Sequence, residues 1–336
     1  MRLITFAVSR SAGDPVLRAG VHRDGVVVDI DLAIAARGGE PVAAPATDAA
    51  ADSELLTLLR GGEQALEATR EATGRALAAG DDRWGGGTIL YSASEVQIVS
   101  PLPRPNSLRD YLAIKGHLLG CIEAGLMDAI PEEWYTTPAH YKGNVDEIYG
   151  PDDTVPWPPY TEKLDYELEI CAVIGTAGRR IGAEDAGRHI VGYTIFNDWS
   201  ARDIQAREGA MGTGPALAKD FATSLGPCIA TPDEFDREKA HLEARIDGEV
   251  WSTGTLGAMH FSFEELIEWT SQEATLRPGD LLGSGTIGGG CGLELGRWLE
   301  QGAVVEIEAE GIGVLRNHVG RKGEGPRRVV ETLGAY

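Results

Sequence analysis

Residues 166–175 read YELEICAVIG. Two acids alternate with Tyr and Leu, and then only small or apolar side chains follow, three of them β-branched. That is the composition of a largely buried strand. Residues two apart on a strand point to the same face, so Glu167 and Glu169 share one. Two carboxylates side by side in apolar surroundings repel each other and lose hydration, and they persist only with a compensating positive charge. A hard divalent cation such as Mg²⁺, Ca²⁺ or Mn²⁺ would supply it, since all three take carboxylate oxygens. The alternative is an exposed edge strand with both acids in water.

Working outward, strand signals recur: HIVGYTIFND (189–198), GPCIAT (226–231), LEARIDGEVWSTG (242–254), DLLGSGTIGG (280–289) and AVVEIEAEGIGVLRNHV (303–319). Asp247-Gly248 reads as a hairpin turn. One clear helix interrupts, FSFEELIEWTS (261–271), where Ser262 and Glu265 have capping-box spacing. A second helix is predicted over 107–126, SLRDYLAIKGHLLGCIEAGL. A long loop rich in Pro and aromatics then runs to about residue 164. Helices of the length a doubly wound α/β fold needs are too few. The expected class is α+β and β-dominated, a mixed, mostly antiparallel β-sandwich roll.

The first ninety or so residues differ. PVLRAGVHRDGVVVDID (15–31) reads as a hairpin around Asp24-Gly25, AAPATDAA (43–50) as a loop, and the region from Ser53 to Gly80 as helical with a break at Gly61-Gly62. DDRWGGGTI (81–89) reads as a glycine-rich loop. The proline-stiffened PLPRPN (101–106) marks the connection to the rest. The predicted division is a small α/β cap domain over 1–97 and a catalytic domain over 98–336.

Asp and Glu number 52 against 30 Lys and Arg, a net charge of -22. Such a field repels phosphate backbones and anionic lipid, which excludes nucleic acid and membrane surfaces as expected partners and suits carboxylates that hold a cation. No apolar run is long enough to span a bilayer, and the N-terminus shows no signal-peptide pattern. Cys121, Cys171, Cys228 and Cys291 form no C-x-x-C pair. They read as small buried residues in a reducing, cytoplasmic setting.

Asp198 closes an apolar strand and opens NDWSARDIQ (197–205), nine residues holding an amide, two acids, an arginine and a glutamine. It reads either as a site or as an N-capped surface helix. Seven residues separate Asp110 from His117, two turns of the predicted helix, so both would lie on one face, with His117 suited to proton transfer near neutral pH. Lys219 lies in LAKDFATS (217–224). GSGTIGGG (283–290) has the freedom to wrap a ligand but lacks a phosphate-loop pattern.

Taken in order, RDYLAIKGH, DYELE, FNDWSARDIQ, LAKDFATS, GSGTIGGG and GLELGRW resemble the fumarylacetoacetate hydrolase family. The resemblance runs from about residue 98 to about 318. It implies four metal-holding carboxylates, Asp110, Glu167, Glu169 and Asp198, around Mg²⁺, with Mn²⁺ or Ca²⁺ as alternatives. It also implies a water-activating dyad of His117 and Glu294, with Lys219 and Gln205 acting on developing negative charge. Arg202, Tyr141 and Thr286 become substrate-binding residues. The implied activity is hydrolysis of a carbon–carbon bond in a 1,3-diketone or acylpyruvate. The alternative is isomerisation, decarboxylation or hydration of a 2-oxo acid at the same metal-enolate site, and a non-catalytic metal-binding protein is a third reading. A homodimer with a small dicarbonyl or 2-oxo acid substrate is expected. Leu112 and Gly209 stand where fumarylacetoacetate-cleaving members carry tyrosines, so a different substrate is expected. Trp134, Tyr135, Tyr141 and Tyr149 are candidates to line its pocket.

Overall fold

The computed structural model describes residues 1–8, 16–36, 38, 53–80 and 82–324. The strand that the acids begin, Leu168–Ile174, is buried along its whole length. Its alternate side chains enter two different cores. Leu168, Ile170, Ala172 and Ile174 pack into one, and Cys171 and Val173 into the other. A strand with an apolar layer on each face cannot show polar alternation, which explains its near-continuous apolar run.

Leu168–Ile174 is central in a 12-stranded sheet. On one side lie Ile190–Asn197 and Thr223–Ala230, both antiparallel, and on the other Asp280–Gly283 and then Ser107–Tyr111. The Asp280–Gly283 to Ser107–Tyr111 pairing is parallel, so the sheet is mixed. A second sheet of five strands carries Leu242–Ile246, Val304–Ala309 and Gly313–Val319. Leu242, Ala244, Val305, Ile307 and Leu315 from it share a core with Leu168 and Ile170, which makes the sandwich. The opposite face of the large sheet is covered by Leu55, Leu56, Leu58 and Leu59 of helix Glu54–Arg60 and by Ala72 and Ala76 of helix Gly62–Ala79. The architecture is α+β and β-dominated, as expected.

Both predicted hairpin turns form. Asp24 and Gly25, and Asp247 and Gly248, have positive φ at the two central positions, the signature of a two-residue turn that matches strand twist. Ser53 caps its helix by accepting from the Leu56 N–H, and Ser262 and Glu265 make the full capping box. AAPATDAA lies outside the described residues. The predicted loop at 81–89 contains two short paired strands, Arg83–Trp84 and Gly87–Thr88.

Among the described residues up to 97, only Arg83–Trp84 and Gly87–Thr88 pair as a sheet apart from the large one. Strand Arg2–Val8 pairs with Val16–Arg23, with Gln97–Val99 and with Thr223–Ala230, so the large sheet is continuous through this region.

The single helix expected over 107–126 is corrected. Ser107–Tyr111 is a strand, paired with Asp280–Gly283 and with His140–Gly143, and the helix starts only at Lys115 and ends at Glu123. Two strand neighbours outweigh a local helical pattern. Asp110 and His117 therefore share no helix face. Asp110 lies in the strand, one residue before its end, and His117 stands in the first turn of the helix that follows.

Candidate active site

Register brings the acids together. Asp110 is paired with Gly283 on one side and with Tyr141 on the other, and Gly283 is paired in turn with Cys171. Glu169 lies two residues before Cys171 on the same face. Gly283 keeps this face open, since a Cβ there would stand 2.4 Å from Asp110 Oδ1. Asp198 follows directly on the adjacent strand Ile190–Asn197. As a result Asp110, Glu169 and Asp198 each offer a carboxylate oxygen within 4.8 Å of the others, all buried.

The donors around these three acids are few. Gly285 N–H donates to Asp110 Oδ1 at 3.2 Å, Thr286 Oγ1 to Glu169 Oε1 at 2.9 Å, and Tyr141 OH to Asp198 Oδ1 at 2.7 Å. Lys219 Nζ lies 2.5 Å from Asp198 Oδ2. Glu169 Oε2 is buried with no hydrogen-bond partner. Burial, reinforced by the charge of Asp198, pushes Asp110 up to about 8. Burial and then the charges of Asp110, Glu167 and Asp198 hold Glu169 well above the usual carboxylate range. Burial raises Asp198 as well, against the pull of Lys219. An orphaned carboxylate oxygen among three converging acids, with the Lys219 ammonium alone against them, is a donor set of hard oxygens short of positive charge. A divalent cation fits it.

Glu167 stands apart from the tight group of three. Lys219 Nζ and Arg202 Nη2 both donate to it, the latter at 2.9 Å. Burial works against its charge, but Lys219, Arg202 and His117 outweigh it and hold the carboxyl well below its ordinary range. It is an ionised acid already paired with two cations, and its Oε1 lies 3.9 Å from His117 Nε2.

His117 and Glu294 meet across 177 residues of sequence, with Nδ1 2.8 Å from Oε1. Glu294 Oε2 accepts from the Gly289 N–H at 2.8 Å, so the GSGTIGGG loop steadies the acid that steadies the histidine. Gly120 gives Glu294 room: a Cβ on it would lie 2.2 Å from Glu294 Oε2. Burial lowers the His117 pKa, but its hydrogen bonds to Cys121, Cys291 and Glu294 outweigh it and raise it above the ordinary value.

The other expected residues also gather here. Arg202 is buried with its donors committed to protein acceptors, Nε to Asp165 Oδ2 at 2.8 Å, Nη1 to Gln205 Oε1 at 2.9 Å and Nη2 to Glu167. Tyr141 and Thr286 direct their hydroxyls onto Asp198 and Glu169. These three therefore orient the acids in this structure. Trp134 and Tyr149 are buried, with Trp134 stacked on His260 at 4.6 Å.

One central residue was missed in the sequence. Asp165 is fully buried and accepts from Arg202, from the Gly292 N–H at 2.8 Å and from the Leu293 N–H at 3.0 Å. It ties the strand acids to the segment that carries Glu294. The signal was present, since Asp165, Glu167 and Glu169 alternate as D-x-E-x-E.

Comparison with known proteins gives the family. Residues 114–320 match the family Fumarylacetoacetate (FAA) hydrolase C-terminal. The oxaloacetate tautomerase YisK of Bacillus subtilis is 35% identical over 240 residues, covering 70% of this chain and 76% of that protein. The human mitochondrial oxaloacetate tautomerase FAHD2A is 31% identical over 289 residues, 84% of each chain. The crystal structure of maleylpyruvate hydrolase from Sphingobium sp. SYK-6 with manganese(II) ion and pyruvate superposes with a TM-score of 0.68 at 20% identity, covering 95% of this chain and 99% of that one. The chain belongs to the fumarylacetoacetate hydrolase family. Among the described residues no helix is long and apolar enough to cross a membrane.

Proposed function

We propose that this chain is a metal-dependent keto–enol tautomerase of a small 2-oxo dicarboxylic acid of the oxaloacetate type. The observation that carries the reading is the placement of a base beside the acid cradle. His117, oriented by Glu294, faces Glu167 at 3.9 Å. The names of the relatives at 35% and 31% identity supply the reaction.

Asp110, Glu169 and Asp198 would hold the cation, Mg²⁺ or Mn²⁺, with Glu167 beside them. When bound it would supply Lewis-acid polarisation of the 2-oxo group. His117 Nε2 takes the proton from C3 while Nδ1–H stays on Glu294, and the same nitrogen returns that proton to the enol oxygen or to carbon in the reverse direction. The Lys219 ammonium lies against Glu167 and Asp198, where it offsets the excess negative charge of the acids. Gln205 Oε1 is held by Arg202, which leaves its amide N–H groups for a substrate oxygen. Arg202, Tyr141 and Thr286 keep the acids aimed. Among the described residues, none of the first 97 takes part in this chemistry, and their strands extend the large sheet. The active form is a homodimer.

The His117–Glu294 dyad also favours a second reading, hydrolysis of an acylpyruvate, because a carboxylate-oriented histidine can equally take a proton from water. The deciding experiment follows the ultraviolet absorbance of enol-oxaloacetate with the Mg²⁺- or Mn²⁺-loaded chain, and pyruvate release from acylpyruvates in parallel. Accelerated enol loss that chelation abolishes and His117→Ala removes supports tautomerisation. Pyruvate release without enol turnover supports hydrolysis, and neither activity overturns both.

A further inference from the structure

Beside the acid cradle lies a second group of ligands with different chemistry. His117, Cys291 and Glu294 each present one ligand atom within 4.8 Å of the others. His117 Nδ1 is 2.8 Å from Glu294 Oε1, and Cys291 Sγ is 3.4 Å from the same oxygen. A tetrahedral zinc ion, with bonds of about 2.0 to 2.3 Å, separates its ligands by about 3.3 to 3.6 Å. The sulfur–oxygen edge already has that length, and the nitrogen–oxygen edge needs an opening of about half an ångström. Cys291 and Glu294 stand at the ends of a Cys-x-x-Glu turn on the short helix that Asp165 anchors, so both project toward the helix carrying His117.

We propose that His117 Nδ1, Cys291 Sγ and Glu294 Oε1 form an inhibitory site for a borderline-soft divalent cation of the zinc type, separate from the hard-cation cradle of Asp110, Glu169 and Asp198. The two groups share no residue. The cradle offers only oxygen, which suits Mg²⁺ and Mn²⁺, whereas a thiolate and an imidazole select Zn²⁺ or Co²⁺. Coordination requires the thiolate, so binding releases the Cys291 proton. Metal on Nδ1 leaves the one imidazole proton on Nε2. That removes the lone pair with which His117 would accept a proton, and it removes Glu294 as the orienting acceptor. The inhibition rests on the proposed role of His117 as base, whereas the binding does not. In the sequence the four cysteines are too scattered to suggest such a site, because its members come from residues 117, 291 and 294.

The test uses the full chain saturated with Mg²⁺ and titrated with Co²⁺. A thiolate-to-cobalt charge-transfer band in the near ultraviolet, at one equivalent, is the expected result, because an all-oxygen cradle gives none. Cys291→Ser and Cys291→Ala should both lose the band, whereas Cys121→Ser should keep it. In turnover assays Zn²⁺ should inhibit the parent chain at concentrations at least tenfold below those that inhibit Cys291→Ser. Absence of the band, or its survival in both Cys291 variants, overturns the site. Loss of the band in Cys121→Ser alone overturns the ligand assignment. A band with turnover intact establishes the site and instead overturns His117 as the base.

Discussion

Arg202 and Asp165 form a wholly buried ion pair, Nε to Oδ2 at 2.8 Å, and Asp165 also receives the backbone N–H groups of Gly292 and Leu293. The pair links the strand acids to the segment bearing Glu294. Asp165→Ala would leave a buried guanidinium and two backbone donors short of an acceptor. The expected loss is about 3 to 5 kcal/mol of folding stability, the range for breaking one side of a buried pair. Urea unfolding monitored by intrinsic fluorescence measures it. A loss below about 1 kcal/mol would show that the linkage is not structural.

Gly120 sits within helix Lys115–Glu123, where alanine would ordinarily be favoured by up to about 1 kcal/mol. A methyl group there would instead meet Glu294 at 2.2 Å. Gly120→Ala should therefore keep the fold and the cation affinity while lowering kcat about tenfold or more, as the carboxylate moves off His117. Steady-state kinetics beside calorimetric Mn²⁺ binding separates the two effects. Unchanged kcat would mean that Glu294 does not need its observed position.

Glu169 keeps an oxygen without a partner, and burial with the neighbouring acids favours its neutral form when no cation is present. Glu169→Gln should consequently change the stability of the cation-free chain little. Mn²⁺ affinity should fall by more than the roughly 10 to 100-fold typical of losing an outer hydrogen-bond partner. Isothermal calorimetry reads both the affinity and the protons released. Retained affinity would remove Glu169 from the ligand set.

Glu54, away from the site, accepts from the Ala19 N–H at 3.0 Å. Burial pushes its pKa up to about 7 from an ordinary 4.5. A raised carboxyl contributes stability that is fully present below the unfolded value and is lost as pH rises through the folded one. Glu54→Gln should thus be nearly neutral at pH 4 and stabilising at pH 8, by at most about 3 kcal/mol at 1.36 kcal/mol per unit. Thermal melts at the two pH values check this. Equal shifts at both would refute the ionisation account.

Much was legible locally. The turns at Asp24-Gly25 and Asp247-Gly248 and the box at Ser262 and Glu265 depend on residues a few positions apart, and the structure forms all of them. The apolar run after Glu169 gave the buried strand for the same reason. The strand Ser107–Tyr111 was not legible, because its conformation comes from neighbours at 140–143 and 280–283 rather than from its own pattern.

The sequence alone determined the β-dominated class and the E-x-E strand, which follow from periodicity, whereas the acids, the histidine and Glu294 were pointed to by the family resemblance in motif order. Only the tertiary structure decided how they divide. It grouped Asp110, Glu169 and Asp198 as a charge-poor oxygen cradle and assigned Glu167 to Lys219 and Arg202. It also gave Asp165 its anchoring role and set Cys291 against the dyad. The physical reason is distance: a carboxylate's ionisation and partners depend on charges within a few ångströms, and the fold brings those from positions tens of residues away.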